Sequence, residues 1–465
     1  MRKSVLSPQI CAAFKNYALF LSLGILFFLY GCNTKETDPA PATVGPATLD
    51  KISAEPATKW ADMTLSMIRR TAGFSPPVAA RAIGYTGLTM YEAVVPGMET
   101  SQSLAGQLSG LSTLPKPEAN KVYDWTLSLN AAQSSIIKNI FANTSDANKV
   151  TIDSLENAIE ASFGKDVPAD VAERSTKFGQ AVANAIFEWS KKDGGHEGYL
   201  RNFPADYKVP VFPGSWQPTE NGRKIPMQPY WGKNRLFVAA NATLTLPQPI
   251  AVSTAVTSQY FAQYLEVYTK NKALTQADKE VSVWWADDPS ETFTPPGHSY
   301  NLAKITIITA KAGLGKAAET FARTGIAVAD AFTNCWKCKF IYNNERPYTF
   351  VRRAIDPAWI PFWPAPPFPG FTSGHATQSA ANAIVLASLY GDSFKFTDVS
   401  HVGRPRDAKR DVDFKARTFN SFWESAEESA YSRFLGGIHT RQDNETGLVE
   451  GRRVGRNINA LKWKK

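Results

Sequence analysis

The chain has 465 residues, 43% of them hydrophobic and 20% charged, an ordinary globular composition that excludes a disordered protein. It is long enough to bury one large core or two smaller ones. The formal charge is +9. Arg2, Lys3 and Lys15 contribute part of it from the N-terminal segment, and the remaining surplus is spread along the chain. Such a balance suits a small anionic ligand and excludes a nucleic-acid footprint, since no basic run is present.

Residues 1–31 read as an export signal. Arg2 and Lys3 precede the apolar stretch LFLSLGILFFLYGC, too short for a membrane span with ordinary flanks. Leu29-Tyr30-Gly31-Cys32 resembles a bacterial lipobox, although Tyr30 is larger than the usual small residue there. Cys32 would then carry lipid and become the mature N-terminus. The KETD that follows resembles a surface-export signal of lipoproteins. These features predict a protein of the bacterial cell envelope, on the periplasmic or extracellular face, held to the outer membrane or cell surface by its N-terminal lipid only. Residues 32–56 are rich in Pro, Ala and Thr without an apolar period, and read as a flexible tether.

From residue 57 to 198 apolar and small residues recur at three- and four-residue spacing, as in PPVAARAIGYTGLTMYEAV, and predict a helical region. Residues 199–252 lose that period. Prolines, Trp216 and Trp231 are scattered through them, which predicts a long ordered loop held by aromatic burial. Helical spacing returns over 253–465, the region that also carries the chemistry. The class is all-α, built as helical bundles with an irregular proline- and tryptophan-rich connection. Cys11 leaves with the signal. Cys335 and Cys338, in CWKC, interrupt the helical pattern and read as buried thiols or a local disulfide rather than a redox pair. No second Cys or His pair lies near enough in sequence for a zinc site.

Three segments concentrate groups that can hold a tetrahedral oxyanion. In KFIYNNERP, Lys339 and Arg346 stand seven apart, and Pro347 biases Arg346 towards extended backbone. The two cations can therefore converge from a helix end and the following turn, Arg as a planar fork of donors and Lys as a point charge. In PFPGFTSGHATQSAANAIVL, Thr372 or Ser373 caps a helix whose free N–H groups attract an anion. Gly374 allows close backbone approach there, Ser373 adds a hydroxyl, and His375 adds a titratable proton. Taken alone, this segment reads as an ordinary capped helix with a chance histidine. In SRFLGGIHTRQD, Arg433 ends one helix, Gly436 and Gly437 break it, and His439 opens the next. Asp443, one turn on, can accept from His439 Nδ1 and leave Nε2 free as nucleophile or metal ligand.

Lys-x6-Arg-Pro, then Ser-Gly-His, then SRFLGGIH with Asp443 resembles the three-part signature of vanadium-dependent haloperoxidases and type 2 phosphatidic acid phosphatases. One position departs from the pattern: Thr372 stands where the family has proline. The resemblance implies that His439 binds the vanadium of vanadate, and that Lys339, Arg346, Ser373, Gly374 and Arg433 hold its oxygens. It implies His375 as acid/base and Asp443 as the orienter of His439, with phosphate able to occupy the same place. The chain length, PGSWQPT, PYWGKNRLF and VWWADDP favour the haloperoxidase branch. That branch implies hydrogen peroxide, a halide (iodide or bromide before chloride) and a small organic acceptor as partners. Trp336 and Phe368 fall where those enzymes carry pocket aromatics. WWADDP and His298 read as structural, with a place on the pocket rim, while His196 and His401 receive no role. The runner-up is phosphomonoester hydrolysis through a phosphorylated His439, and a non-catalytic anion-binding lipoprotein ranks last.

Overall fold

Side-chain caps and first-turn prolines mark where the helices of this chain begin. The structure, a computed structural model, describes residues 49–465. The export signal, Cys32 and the tether as far as residue 48 lie outside the described residues. The expected tether extends too far, because residues 49–56 belong to the folded body. Leu49 is buried, the Leu314 N–H donates to the Ile52 carbonyl at 2.9 Å, and Ser53 bridges Gly313. Two apolar residues are too few to show a period.

The first helices are α1 (Glu55–Arg70), α2 (Pro76–Glu92), α3 (Trp125–Ile140), α4 (Asp146–Phe163) and α5 (Ala169–Ser190). A short α6 (Ala239–Ala242) lies within the long connection, and α7 (Gln259–Lys272), α8 (Gln276–Trp284) and α9 (Thr294–Thr309) follow it. The last group is α10 (Leu314–Tyr342), α11 (Pro347–Ala354), α12 (Gly374–Tyr390), α13 (Phe422–Leu435) and α14 (Arg441–Asn459). Asp124, Ser145, Ser258, Thr275, Ser373, Ser421 and Thr440 cap their helices with side-chain oxygens. Prolines open α2, α9 and α11, where a missing N–H costs nothing. Among the described residues, one small sheet breaks the all-helical pattern. It pairs β1 (Phe396–Asp398) with β2 (Arg417–Phe419) antiparallel, Thr397 opposite Thr418. Strands of three residues are too short to show alternation in the sequence.

The helix α10 runs for 29 residues, about 43 Å at 1.5 Å per residue, and is the axis of the fold. Helices α2, α9, α12 and α14 pack on it. Glycines allow the closest crossings: a Cβ on Gly325 of α10 would meet the Ile83 carbonyl oxygen of α2 at 2.3 Å, and one on Gly451 of α14 the Thr377 carbonyl oxygen of α12 at 2.0 Å. One apolar cluster runs from Leu49 to Trp463, so the regions 57–198 and 253–465 share a core rather than forming separate ones. CWKC does not interrupt α10; the helix continues through it, with both cysteines buried and free.

The connection over 199–252 is ordered, with 3₁₀ turns at Gly198–Leu200 and Trp231–Lys233. Trp216 and Trp231 are buried, as aromatic anchoring requires. Asp330 of α10 fastens its end by accepting from Phe237 N (2.7 Å), Val238 N (3.0 Å) and Asn241 Nδ2 (2.8 Å). Among the described residues no helix is long and apolar enough to cross a membrane.

Candidate active site

The end of α10 places the first cation. Lys339 lies in the last turn with no exposed surface, and Nζ donates to the Pro369 and Gly370 carbonyls at 2.9 and 2.7 Å. An ammonium has three donors, so one is left over. Asn343, at φ 48°, then turns the chain. Arg346 follows in the extended conformation that Pro347 demands, at φ −96° and ψ 160°. Its Nε donates to the Phe368 carbonyl (2.8 Å), and one Nη donates to the Ile438 carbonyl (2.8 Å) and to His439 Nε2 (3.1 Å). Phe368 backs both cations, its ring centroid 5.3 Å from Lys339 Nζ and 4.9 Å from the Arg346 guanidinium carbon. The Trp336 ring lies 5.0 Å from that of Phe368 and completes an apolar wall.

The N-terminus of α12 supplies the neutral donors. Ser373, not Thr372, is the cap, with Oγ accepting from Ala376 N at 3.4 Å. Its own N–H donates to the Asp443 carbonyl at 3.0 Å and ties α12 to the start of α14. Gly374 opens the helix, where the first N–H groups have no intrahelical partner. A Cβ there would stand 3.5 Å from the Trp336 ring, so the glycine keeps this face of the helix start clear. His375 is half-buried and lies 2.9 Å, through Nε2, from the Trp285 carbonyl. A carbonyl can only accept, so Nε2 carries the proton and Nδ1 the lone pair.

Arg433, in the last turn of α13, donates from one Nη to the same Trp285 carbonyl at 3.1 Å. Its Nε is buried without a partner. His439 stands just ahead of the Thr440 cap rather than inside α14. Its Nδ1 is 2.9 Å from Asp443 Oδ2, and the same carboxylate oxygen accepts from Thr440 N at 3.1 Å. Arg346 has only N–H groups to offer. Nε2 of His439 must therefore accept, and its proton sits on Nδ1, donated to Asp443.

Burial and mutual repulsion show what the pocket lacks. Desolvation, with Arg346 nearby, pulls Lys339 down to about 8. Desolvation, with Arg433 nearby, pulls Arg346 down to about 9. Arg433 falls to about 10 through burial, against the pull of Asp288 and Asp287. Burial and then the charges of Arg346, Lys339 and Arg433 hold His439 well below the usual histidine range. His375 is lowered in the same way by burial and Arg433. Asp443 is pushed up to about 6 by burial, against the opposing pull of Lys339, and is ionised at neutral pH. Three buried cations thus face few carboxylates, and Arg433 keeps a donor unused. That donor set, with a serine hydroxyl, helix-start N–H groups and a neutral imidazole, fits a tetrahedral oxyanion such as vanadate.

Lys339, Arg346, Ser373, Gly374, His375, Arg433, His439 and Asp443 lie around this pocket, with Trp336 and Phe368 as its wall. Other contributors were missed from the sequence. The carbonyls of Phe368, Pro369, Gly370, Ile438 and Trp285 are backbone groups without a side-chain signature. Thr440 had one, the Thr-x-x-Asp spacing of a capping box, and its box is present. His298 does not line the rim. It is 1% exposed, stacked on the Trp285 ring with centroids 4.5 Å apart. His401, given no role from sequence, is buried beside it, while His196 packs on Phe187 away from the pocket.

Residues 319–463 match the family model of the VCPO second helical-bundle domain. The vanadium chloroperoxidase of Curvularia inaequalis is 24% identical over 479 aligned residues, covering 82% of this chain and 77% of that one. A bacterial vanadium-dependent iodoperoxidase is 30% identical with a TM-score of 0.78, over 89% of this chain and 97% of its own. The fold is shared also with a holo bacterial vanadium-dependent chloroperoxidase, at 14% identity and a TM-score of 0.65 over 85% of this chain and 93% of that one. The chain belongs to the vanadium-dependent haloperoxidases. It is an enzyme, its cofactor is vanadate, and hydrogen peroxide and halide are the substrates of its relatives.

Proposed function

We propose that this enzyme oxidises iodide, and less readily bromide, with hydrogen peroxide. The halide, peroxide and one proton give hypohalous acid and water, and the hypohalous acid passes its halogen to a small organic acceptor. One observation carries the choice of halide: the 30% identity extends over 97% of an iodoperoxidase, against 24% with a chloroperoxidase. Iodide also yields its electrons more easily than bromide or chloride, so it asks least of the pocket.

The residues divide the work as follows. His439 would ligate vanadium through Nε2, its lone pair kept available by the Nδ1 proton held on Asp443. Lys339, Arg346, Arg433, the Ser373 hydroxyl and the Gly374 N–H would hold the oxygens. When bound, vanadate supplies a Lewis acid that makes a peroxide oxygen electrophilic towards halide without changing its own oxidation state. His375, protonated on Nε2 and open on Nδ1, exchanges the proton that peroxide must lose and water must gain. Trp336 and Phe368 exclude water and strengthen every charge interaction beside them. For location, Leu29–Cys32 supports lipid anchoring in the bacterial envelope, and Cys32→Ser should leave the protein unlabelled by radioactive fatty acid.

The halide assignment is tested by steady-state kinetics on vanadate-loaded protein with iodide, bromide and chloride in turn. The expected order of kcat/KM is iodide, then bromide, then chloride. A chloride value equal to or above that of iodide would overturn it.

A further inference from the structure

Against the ring of Trp285 lies a second cluster of titratable groups. Asp287, His298, His401 and Asp398 are each no more than 1% exposed. His298 Nδ1 is 2.6 Å from Asp287 Oδ2, and its Nε2 is 2.8 Å from Asp398 Oδ2. His401 Nε2 lies 3.0 Å from Asp287 Oδ1, yet neither atom has a hydrogen-bond partner. The two are close without the alignment of a hydrogen bond, as when two ligand atoms share an edge of a coordination shell. One ligand atom from each of Asp287, His298 and His401 falls within 4.8 Å of the others.

We propose that Asp287, His298 and His401 bind a divalent transition-metal ion of the zinc class, with Asp398 as the carboxylate that orients His298. Two imidazoles and a carboxylate are a common donor set for such an ion. Asp398 fixes the His298 tautomer by accepting from Nε2, which leaves the Nδ1 lone pair for the metal, the carboxylate–histidine–metal arrangement of such sites. Asp398 is itself fixed by Trp284 Nε1 at 2.7 Å and by Ser400 N at 2.9 Å.

Asp287 also borders a cavity of about 440 Å³ that Asp288, Glu291, Arg404 and Arg410 line with it. The ion's effect reaches the catalytic pocket through the chain itself. Asp287 follows two residues after Trp285, whose carbonyl accepts from both His375 and Arg433, so the ion stiffens the turn that positions them.

The test is a zinc titration of the purified, chelator-stripped chain without vanadate. We expect one tightly held ion per chain and a raised melting temperature. Asp287→Asn and His401→Gln should lose that ion. His439→Ala should keep it, which separates this cluster from the histidines of the pocket. Should either cluster variant fail to fold, the visible spectrum of the cobalt-loaded wild type, with nitrogen and oxygen ligands, stands in its place. No stoichiometric uptake by the wild type, uptake that survives both cluster variants, or loss of the ion in His439→Ala would overturn the proposal.

Discussion

The lone pair on His439 Nε2 and the proton on its Nδ1 follow from its two neighbours, a guanidinium that only donates and a carboxylate that only accepts. His375 is held the opposite way, with its proton on Nε2. This difference predicts different losses. His439→Ala should abolish vanadate binding and peroxidase turnover together. His375→Ala should still bind vanadate, more weakly, while turnover falls by about 10²–10⁴-fold, the usual contribution of an acid–base group. Equilibrium dialysis of vanadate beside kcat separates the two, and equal loss of affinity in both variants would refute the division. A second prediction concerns charge. Lys339, pulled down to about 8, is cationic below that pH and loses its proton as pH rises through it. Sulfate keeps its charge over this range, so calorimetry should show its affinity falling about tenfold between pH 7 and 9, in keeping with about 1.5–3 kcal/mol for a hydrogen bond to a charged group. In Lys339→Met that fall should shrink to what Arg346, pulled down to about 9, still contributes.

At the scale of the element, the pocket is a meeting of two helix ends, those of α10 and α13, with the starts of α11, α12 and α14, and its precision depends on how closely α12 and α14 pack. Gly451→Ala would drive a Cβ into the Thr377 carbonyl and push those starts apart. Its unfolding midpoint should report a loss of about 1–3 kcal/mol, accompanied by weaker vanadate binding although the residue touches no ligand. Thr440→Ala removes a cap and should cost about 1 kcal/mol, and it frees Asp443 from the box that aims it. The helices and caps were largely legible because periodicity and Ser/Thr/Asp starts are local signals. So were the side-chain members of the pocket, since Lys339, Arg346, Ser-Gly-His and His439 carry distinctive chemistry at distinctive spacing. The carbonyl of Trp285 was not legible, because any residue offers a carbonyl and only tertiary packing aims one. His298 was misplaced for a related reason: its partners Asp287 and Asp398 lie 11 and 100 positions away, and no local spacing announces that they meet. The three-residue strands and the anchoring of residues 49–56 escaped because each is shorter than the period that would reveal it.

Across the whole molecule, a single apolar cluster joins the early helices to the last residues, and α10 carries both the fold's axis and Lys339. The long connection depends on Asp330, whose carboxylate holds two backbone N–H groups and an amide. Asp330→Ala leaves those donors buried and unpaired, at about 1–3 kcal/mol each, and should lower the melting temperature by many degrees in a scanning calorimeter. Three repelling cations at the end of the same axis make the ligand-free protein the less stable form, and vanadate at a hundred times its Kd should add about 2.7 kcal/mol. The most direct measurement of the whole account is one titration. Ligand-free protein receives vanadate while iodide oxidation by peroxide is followed, and a parallel sample without vanadate receives a phosphomonoester. Iodide oxidation should rise with vanadate to saturation at one per chain, with little release of phosphate. Strong phosphatase turnover with no vanadate-dependent iodide oxidation would contradict it.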